Sequence, residues 1–277
     1  MKRVDAVWTI AREELAGRVR NRWIWTVSVL VLITSLTVAF LGSVSVGVIG
    51  ARGSEVVMAS LLNLAVYLVP LLALVMGAGV IIDEKQRGIL DVFLVCPVSS
   101  AEYFLGKFVG YVWALSIALL ASFVPTGILL VVTTAINPTE YLLLLLLVLS
   151  LGVVFLAISF FISILSRDHA RGVGLSILVW VLSVFVYDLA LVGGLVLYQG
   201  EISPTVFGAI LLLNPIDIFR LLALSWVGSA ASPLGLGTVA QPFPVEILAG
   251  FLVLWGIVPL WLSHRLFQTR LVKDRLL

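Results

Sequence analysis

The residues best suited to chemistry lie in one connection, between positions 83 and 107, where charged and turn-forming residues surround a short apolar run. The run is too short to cross a hydrocarbon core of ~30 Å, and Pro97 ends it. Ser99 and Glu102 have the S-x-x-E spacing of a capped helix start. The pattern predicts a short cytoplasmic helix of about two turns. Its exposed apolar face needs a protein partner or a membrane surface. The charged and turn residues are Asp83, Glu84, Lys85, Arg87, Gly88 and Lys107.

A second polar group follows the apolar run Val206–Leu213. Asn214 can cap a helix that has Pro215 at its first position, and Asp217 in the first turn suits the helix dipole. Arg220 lies three residues after Asp217, so the two can pair across one turn. The pattern predicts a re-entrant or interfacial helical pair on the outer face, which serves either as a plain capped surface helix or as a docking site for a partner.

One carboxylate, Asp188, lies deep in an apolar stretch, nine residues before Leu197. A carboxylate at the centre of a membrane helix costs about 2.5–3.5 kcal/mol on insertion scales, so Asp188 should face protein or water. It is either a pathway or gating residue or the partner of a Tyr or Ser in an inter-helix hydrogen bond.

Several chemistries lack their residues in this sequence. No G-x-x-x-x-G-K-[ST] phosphate loop occurs, so ATP must be hydrolysed by another polypeptide. His169 and His264 fall at the ends of apolar stretches and are expected to be solvated or to face headgroups. Thiol and thioether ligands are scarce, with Cys96 as the one cysteine. We therefore expect no catalytic residue, no cofactor and no metal site in this chain.

Composition places the chain in a membrane. It is 61% hydrophobic and 12% charged, whereas a soluble domain has about 25% charged residues. The formal net charge of +2 gives no reason to expect a nucleic-acid partner. We predict an all-α integral membrane protein with six transmembrane helices. The six apolar stretches lie near Trp23–Leu41, Val56–Ile82, Phe108–Ile136, Tyr141–Leu165, Gly172–Leu197 and Glu246–Leu262.

The basic residues fix a predicted orientation. Of 17 Lys and Arg residues, only Arg52 and Arg220 fall on one side of the six-span map, and cationic loops stay in the cytoplasm. Both termini and Cys96 are therefore expected inside, in a multi-pass protein of a prokaryotic inner membrane. We interpret residues 1–277 as one domain with three special segments: an amphipathic interfacial helix at 1–22, the inner connection 83–107 and a long outer loop 198–245.

The inner connection resembles the coupling-helix region of ABC-2-type transporter permeases, in which a glutamate and a basic residue precede Gly-x-Leu, a short helix, a proline and a final Gly-Lys. Two positions depart from the family pattern, Ile89 where Thr is common and Ser100 where Arg is common. The matching residues are Glu84, Lys85, Gly88, Leu90, Pro97, Gly106 and Lys107.

This resemblance implies a type V exporter-like fold and a homodimer that works with two ATPase subunits, which bind the ATP and Mg. ATP-driven closure of the ATPases would then push on the coupling helix and move the spans. We predict that Phe93 and Leu94 insert into a groove on the ATPase, with Glu84 and Lys85 shaping the loop. Membrane lipids are further expected partners.

A narrower resemblance is carried by RNRW before the first span and by LLLNPIDIFRLLALS in the outer loop. Both are similar to the permeases of ABC complexes that mature nitrous oxide reductase. This implies that a periplasmic repeat protein of the NosD type docks on the outer face, at Asn214, Pro215, Asp217 and Arg220. The output would be delivery of a sulfur-containing species or mechanical control of that partner during assembly of a copper centre. Two alternatives stay open: an ABC-2 exporter of lipid, polysaccharide or drug, and a non-transport scaffold or channel.

Overall fold

The computed structural model describes residues 3–45, 51–89, 98–134, 136–197, 203–226 and 243–272, and every regular element within these ranges is helical. Two short π-helical turns, Leu182–Val186 and Phe267–Val272, accompany the α-helices. The α-helices are α1 (Arg3–Val19), α2 (Arg22–Ser45), α3 (Ala51–Gly77), α4 (Val80–Gln86), α5 (Ser100–Thr134), α6 (Pro138–Leu165), α7 (His169–Val181), α8 (Tyr187–Leu197), α9 (Pro204–Leu211), α10 (Pro215–Trp226) and α11 (Val245–Leu266).

Five helical stretches in the described ranges are long and apolar enough to cross a membrane, and they correspond to the second to sixth predicted spans. The first predicted span falls within α2, whose apolar part forms with α1 a helix pair bent by 67°. In the loop predicted to be outer, α9 and α10 form a second pair, bent by 115°, which agrees with the predicted helical pair. The five stretches are Val56–Gln86, Ser100–Thr133, Pro138–Leu165, His169–Leu197 and Val245–Thr269.

The predicted capping box forms at the start of α5. The Ser99 amide donates to Glu102 Oε2 at 2.8 Å, and the Glu102 amide donates to Ser99 Oγ at 3.2 Å. The predicted short helix that ends at Pro97 falls on residues 90–97, which lie outside the described residues, so it stays a prediction. The helix that Ser99 caps runs on without a break to Thr134. No proline interrupts it before Pro125, and the charge of Lys107, which could have ended an apolar helix, is buried against partners.

The core is built around α6, which packs against α3, α5, α10 and α11. Phe160 of α6 packs nearly edge-to-face against three aromatic rings. The centroid separations are 5.8 Å to Phe104, 5.3 Å to Phe108 and 5.5 Å to Tyr111. Edge-to-face pairs at this separation are favourable beyond the apolar area they bury. Most of the α6 stretch is buried inside the protein, whereas only a small part of the α7–α8 stretch and of the α11 stretch is buried. The fifth and sixth spans therefore leave apolar faces for lipid or another protein.

The second span breaks after Gly77, and two serines of α6 occupy the break. A Cβ placed on Gly77 would lie 2.3 Å from Ser159 Oγ, so a larger residue does not fit. Ser159 Oγ donates to the carbonyl of Leu74 at 2.6 Å. Ser163 Oγ accepts the amide of Ile81 at 3.0 Å. The two hydroxyl groups thus satisfy backbone groups that an interrupted helix leaves without partners.

Candidate functional site

The inner connection begins where α4 ends. Gly88 has φ of 72°, a left-handed conformation that costs a residue with a Cβ but not glycine. The side chains of Lys85 and Arg87 are exposed beside this turn, and Ile89 is 42% exposed. The sequence-predicted coupling residues that follow lie outside the described residues, so their role stays a prediction: Leu90, Phe93, Leu94 and Pro97.

Lys107 forms an ionic centre just after this connection. The residue is only 2% exposed, and its ammonium contacts the carboxylates of Glu14 in α1 and Glu84 in α4. Tyr103 Oη donates to Glu84 Oε2 at 2.7 Å. A buried ammonium is stable only when it is paired and hydrogen-bonded. We call these four residues, Glu14, Glu84, Tyr103 and Lys107, the Lys107 centre.

The Lys107 centre ties both ends of the connection 83–107 to the N-terminal helix. Glu84 precedes residues 90–97 and Lys107 follows them, while Glu14 lies on α1. Because the three charges share one buried contact, a displacement at either end of the connection must move the other end and α1 with it, or separate buried charges. Glu84 and Lys107 were predicted as site residues. Glu14 and Tyr103 were not predicted as site residues. Glu14 is 93 positions from Lys107 and Tyr103 is 19 positions from Glu84, and no local sequence pattern indicates contacts over such separations.

The N-terminal helix forms a close seam with α5. A Cβ placed on Gly106 would lie 2.8 Å from the Cβ of Ile10, and one on Gly110 would lie 2.8 Å from the carbonyl oxygen of Ala11. Two glycines four residues apart let helix backbones approach closely. Ala11 is fully buried in this seam. The predicted amphipathic interfacial helix thus buries part of its apolar surface, including Ala11, against the protein.

Another inner contact joins α4 to α7. Nδ1 of His169 lies 2.9 Å from Oδ1 of Asp83, and Asp168 caps α7 by accepting the Arg171 amide at 2.8 Å. The His169 side chain is 57% exposed, in keeping with the expected solvated histidine. His264 differs from the expectation, because its ring packs against Phe104 at a centroid separation of 5.6 Å.

Three charged residues form a network between α8 and α10, on the side that the sequence predicts to be outer. Arg220 Nη1 lies 2.9 Å from Asp188 Oδ1 and 3.0 Å from Asp217 Oδ1. The Asn214 side-chain amide also donates to Asp217 Oδ2 at 2.9 Å. Asp188 therefore faces protein, as the sequence predicted, but its partner is an arginine and not a Tyr or Ser. We call Asp188, Asn214, Asp217 and Arg220 the outer network.

The burial of the outer network corrects the predicted placement of the docking residues. Asn214 is 2% exposed and Asp217 is 4% exposed, and Pro215 is also buried. Because α10 packs against α6 and α11, these three residues face the bundle. The Arg220 side chain retains 23% of its exposure. A partner that docks at this site can therefore contact Arg220 directly, but it cannot contact Asn214, Pro215 or Asp217 while α10 stays packed.

The turn between α9 and α10 is held by Asn214 and by two polar groups that the sequence did not single out, in Tyr187 and Trp255. Tyr187 Oη donates to the carbonyl of Ile210 at 2.5 Å, and Trp255 Nε1 donates to that of Leu212 at 3.1 Å. Asn214 donates to the carbonyl of Ser183 at 2.9 Å, inside the π-helical turn that precedes α8. Tyr187 and Trp255 are aromatic residues with one polar group each, and such a group usually finds a hydrogen-bond partner when it is buried. This property was the sequence signal from which their role could have been predicted.

A largely apolar cavity of about 600 Å³ lies between the fourth, fifth and sixth spans. Tyr187, Asn214 and Trp255 line it together with apolar side chains such as Phe161 and Leu262. Such a cavity accommodates an apolar chain or ring system. For metals, no group of three or more His, Cys, Asp or Glu side chains converges anywhere in the described ranges, and Cys96 lies outside them.

Comparison with known proteins gives a consistent result over nearly the whole chain. Residues 8–272 match the family model described as ABC-2 family transporter protein. A protein of Pseudomonas aeruginosa named "Probable ABC transporter permease protein NosY" is 36% identical over 276 residues, which cover 96% of this chain and 99% of the relative. A protein of the same name from Stutzerimonas stutzeri is 36% identical over 283 residues, covering 97% and 100%.

Proposed function

This chain belongs to the ABC-2 family of transporter permeases, and we propose that it couples ATP hydrolysis by a separate ATPase subunit to transport or mechanical change at the outer face of the membrane. Two copies of the chain work with two ATPase subunits, which bind the ATP and Mg. The process it serves is assembly of the copper centres of nitrous oxide reductase.

The Lys107 centre carries the coupling proposal. Movement of the ATPases reaches this chain through residues 90–97, and the buried charges on either side of that segment belong to α4, α5 and α1. These helices lead into the first, second and third predicted spans. A push on the coupling segment is thereby passed to three spans at once.

The assignment to nitrous oxide reductase rests on likeness. Two relatives bear the name NosY, and the stretches RNRW and LLLNPIDIFRLLALS resemble the permeases of that maturation system. A periplasmic repeat protein of the NosD type is then the partner on the outer face, and Arg220, whose side chain is 23% exposed, is the predicted docking residue that can reach it.

Purification of the complex tests the coupling proposal. We expect the ATPase to co-purify with the wild-type chain and to be lost from Phe93→Ala, because truncating an aromatic anchor at an interface commonly costs more than about 2 kcal/mol. Leu142→Ala, which truncates an apolar side chain 55% exposed at the start of α6, is the matched control and should retain the ATPase. Full retention of the ATPase and of activity by Phe93→Ala would contradict the proposed contact, and absence of any ATPase from the wild-type preparation would favour a free-standing channel or scaffold.

Docking on the outer face needs a separate test, because Arg220→Glu would also bring three carboxylates together in the outer network. We expect Arg220→Glu to lower recovery of the periplasmic repeat protein. Asp188→Asn disturbs the same network but leaves Arg220 in place, so it should not lower recovery of the periplasmic repeat protein. Equal loss of the partner from both variants would assign the effect to folding of α10 and not to contact with Arg220.

The apolar cavity of about 600 Å³ favours a second candidate function, export of a lipid or another apolar molecule. In that case the reconstituted complex should show ATPase activity stimulated by the cargo, and Leu175→Trp, which narrows the cavity, should abolish the stimulation. Stimulation by the periplasmic partner alone, unaffected by Leu175→Trp, would support the maturation role.

A further inference from the structure

A polar cavity of about 290 Å³ opens where the α1–α2 bend meets the break in the second span. Its apolar wall includes Ile24 and Met76. Five elements contribute to the cavity, namely the end of α1, the start of α2, the α3–α4 break, α5 and the first residue of α7. The polar side chains that line it are Arg18, Asn21, Asp83, Tyr111 and His169.

Arg18 is the cation of this cavity. Its Nη2 donates to Tyr111 Oη, and its guanidinium carbon lies 4.3 Å from the centroid of the Tyr111 ring. A guanidinium has five N–H donors, and Tyr111 Oη takes one of them. Burial lowers the pKa of Arg18, although the charges of Glu14 and Glu84 act in the opposite direction. A partly desolvated cation beside an open cavity is stabilised by an anion that enters it.

The charged residues around the cavity also favour an anionic ligand. Asp83 is engaged with His169, and Glu14 and Glu84 are engaged with Lys107. The chain segments 18–22 and 167–171, which contribute Arg18, Asn21 and His169 to the cavity lining, carry five arginines and one aspartate. With Asp83 included, the local net charge is +3 when His169 is neutral. The arginines are Arg18, Arg20, Arg22, Arg167 and Arg171.

We propose that this cavity binds the phosphate headgroup of an anionic phospholipid. Arginine suits phosphate because its donors form a planar fork, and basic pockets between spans on the cytoplasmic side bind anionic headgroups. A lipid fits better than a soluble anion for a structural reason. The cavity lies at the bend between α1 and α2, and the apolar side chains of Ile24 and Met76 continue its wall toward the span, where the glycerol and acyl part would lie. The proposal needs only that the chain spans a membrane and is independent of what it transports.

The experiment measures lipid binding to the purified full-length chain by native mass spectrometry, with phosphatidylglycerol and phosphatidylcholine in competition. We expect the wild type to prefer phosphatidylglycerol. Arg18→Gln should reduce that preference about tenfold, which corresponds to a lost interaction of about 1.4 kcal/mol. Arg18→Lys changes the contact with Tyr111 as well but keeps the charge, and it should keep most of the preference. Arg12→Gln removes an exposed arginine of α1 that does not line the cavity and should have no effect.

Three outcomes would overturn the proposal. The first is an unchanged preference in Arg18→Gln. The second is an equal loss in Arg12→Gln or Arg18→Lys, which would indicate general surface charge or a disturbed helix. The third is displacement of the lipid by millimolar inorganic phosphate alone, which would identify a site for a soluble anion.

Discussion

At the scale of single residues, the main question is why a lysine lies where water hardly reaches it. Lys107 is 2% exposed and touches two carboxylates from different helices. Replacing a whole buried ion pair by apolar residues is often neutral for stability, whereas removing one partner leaves an uncompensated buried charge. The Lys107 centre is therefore more informative about specific positioning of α1, α4 and α5 than about overall stability.

Lys107→Met tests the effect of removing one partner of the buried ion pair. The substitution keeps the length of the side chain but leaves Glu14 and Glu84 facing each other, and we expect a loss of about 3–5 kcal/mol in the free energy of unfolding. The measurement is chemical unfolding in detergent, with ATP hydrolysis of the reconstituted complex as the second readout.

The triple variant Lys107→Met, Glu84→Gln, Glu14→Gln separates stability from coupling. Because no charge remains buried without a partner, we expect much of the stability to return while ATP hydrolysis stays uncoupled. Recovery of full coupling in the triple variant would contradict a role for the ionic contact in transmission.

The outer network gives a second prediction at this scale. Arg220→Gln leaves Asp188 and Asp217 without their shared cation, and we expect a loss of about 2 kcal/mol of stability. Asp188→Asn alone should cost less, since Arg220 keeps Asp217. Residues within one network are not additive, with interaction energies of about 0.5–3 kcal/mol. The double variant should thus lose less than the sum of the two losses, and simple additivity in unfolding experiments would show that the three charges do not act together.

At the scale of elements, the seam between α1 and α5 makes the same substitution act in opposite directions at two sites. Gly110→Ala would place a Cβ 2.8 Å from the Ala11 carbonyl oxygen, and overpacking of this kind costs about 1–3 kcal/mol. Gly17→Ala meets nothing within 4 Å and should stabilise α1 by up to about 1 kcal/mol through helix propensity. Midpoints of thermal unfolding should therefore fall for the first variant and rise for the second; a fall for both would mean that the seam is not the cause.

Elements that depend on neighbouring residues were predictable from the sequence, and those that depend on distant residues were not. The Ser99–Glu102 box, the Asn214 cap and the bent α9–α10 pair all follow from side chains within three or four positions. The pairing of Arg220 with Asp188, 32 residues away, and the π-helical turn before α8 have no local signature. Hydropathy located Asp188 in a span but could not indicate which helix would face it. The predicted short coupling helix falls on residues 90–97, outside the described residues, and stays a prediction.

At the scale of the molecule, the distribution of arginine and lysine predicts which face is inside, and cysteine labelling of intact cells tests it. Cysteines introduced by Arg52→Cys, Glu140→Cys and Glu201→Cys should react with an impermeant maleimide, because the positive-inside rule places them outside. Native Cys96 should react only after the membrane is permeabilised, and Arg171→Cys, whose parent side chain is 60% exposed, is the matched inner control. Labelling of Cys96 in intact cells would reverse the orientation and remove the basis for the coupling connection.

The seam between α1 and α5 also has a consequence for biogenesis. Glu14 and Lys107 are 93 residues apart, and a ribosome adds about 5–20 residues per second. The N-terminal helix is thus synthesised about 5–20 seconds before the surface that covers it. During that interval its apolar stripe has only the membrane surface or a chaperone to bind. The arginines on its other faces favour binding to anionic lipid during this interval. The nascent helix would therefore bind the membrane interface first and pack against α5 once the third span has been inserted.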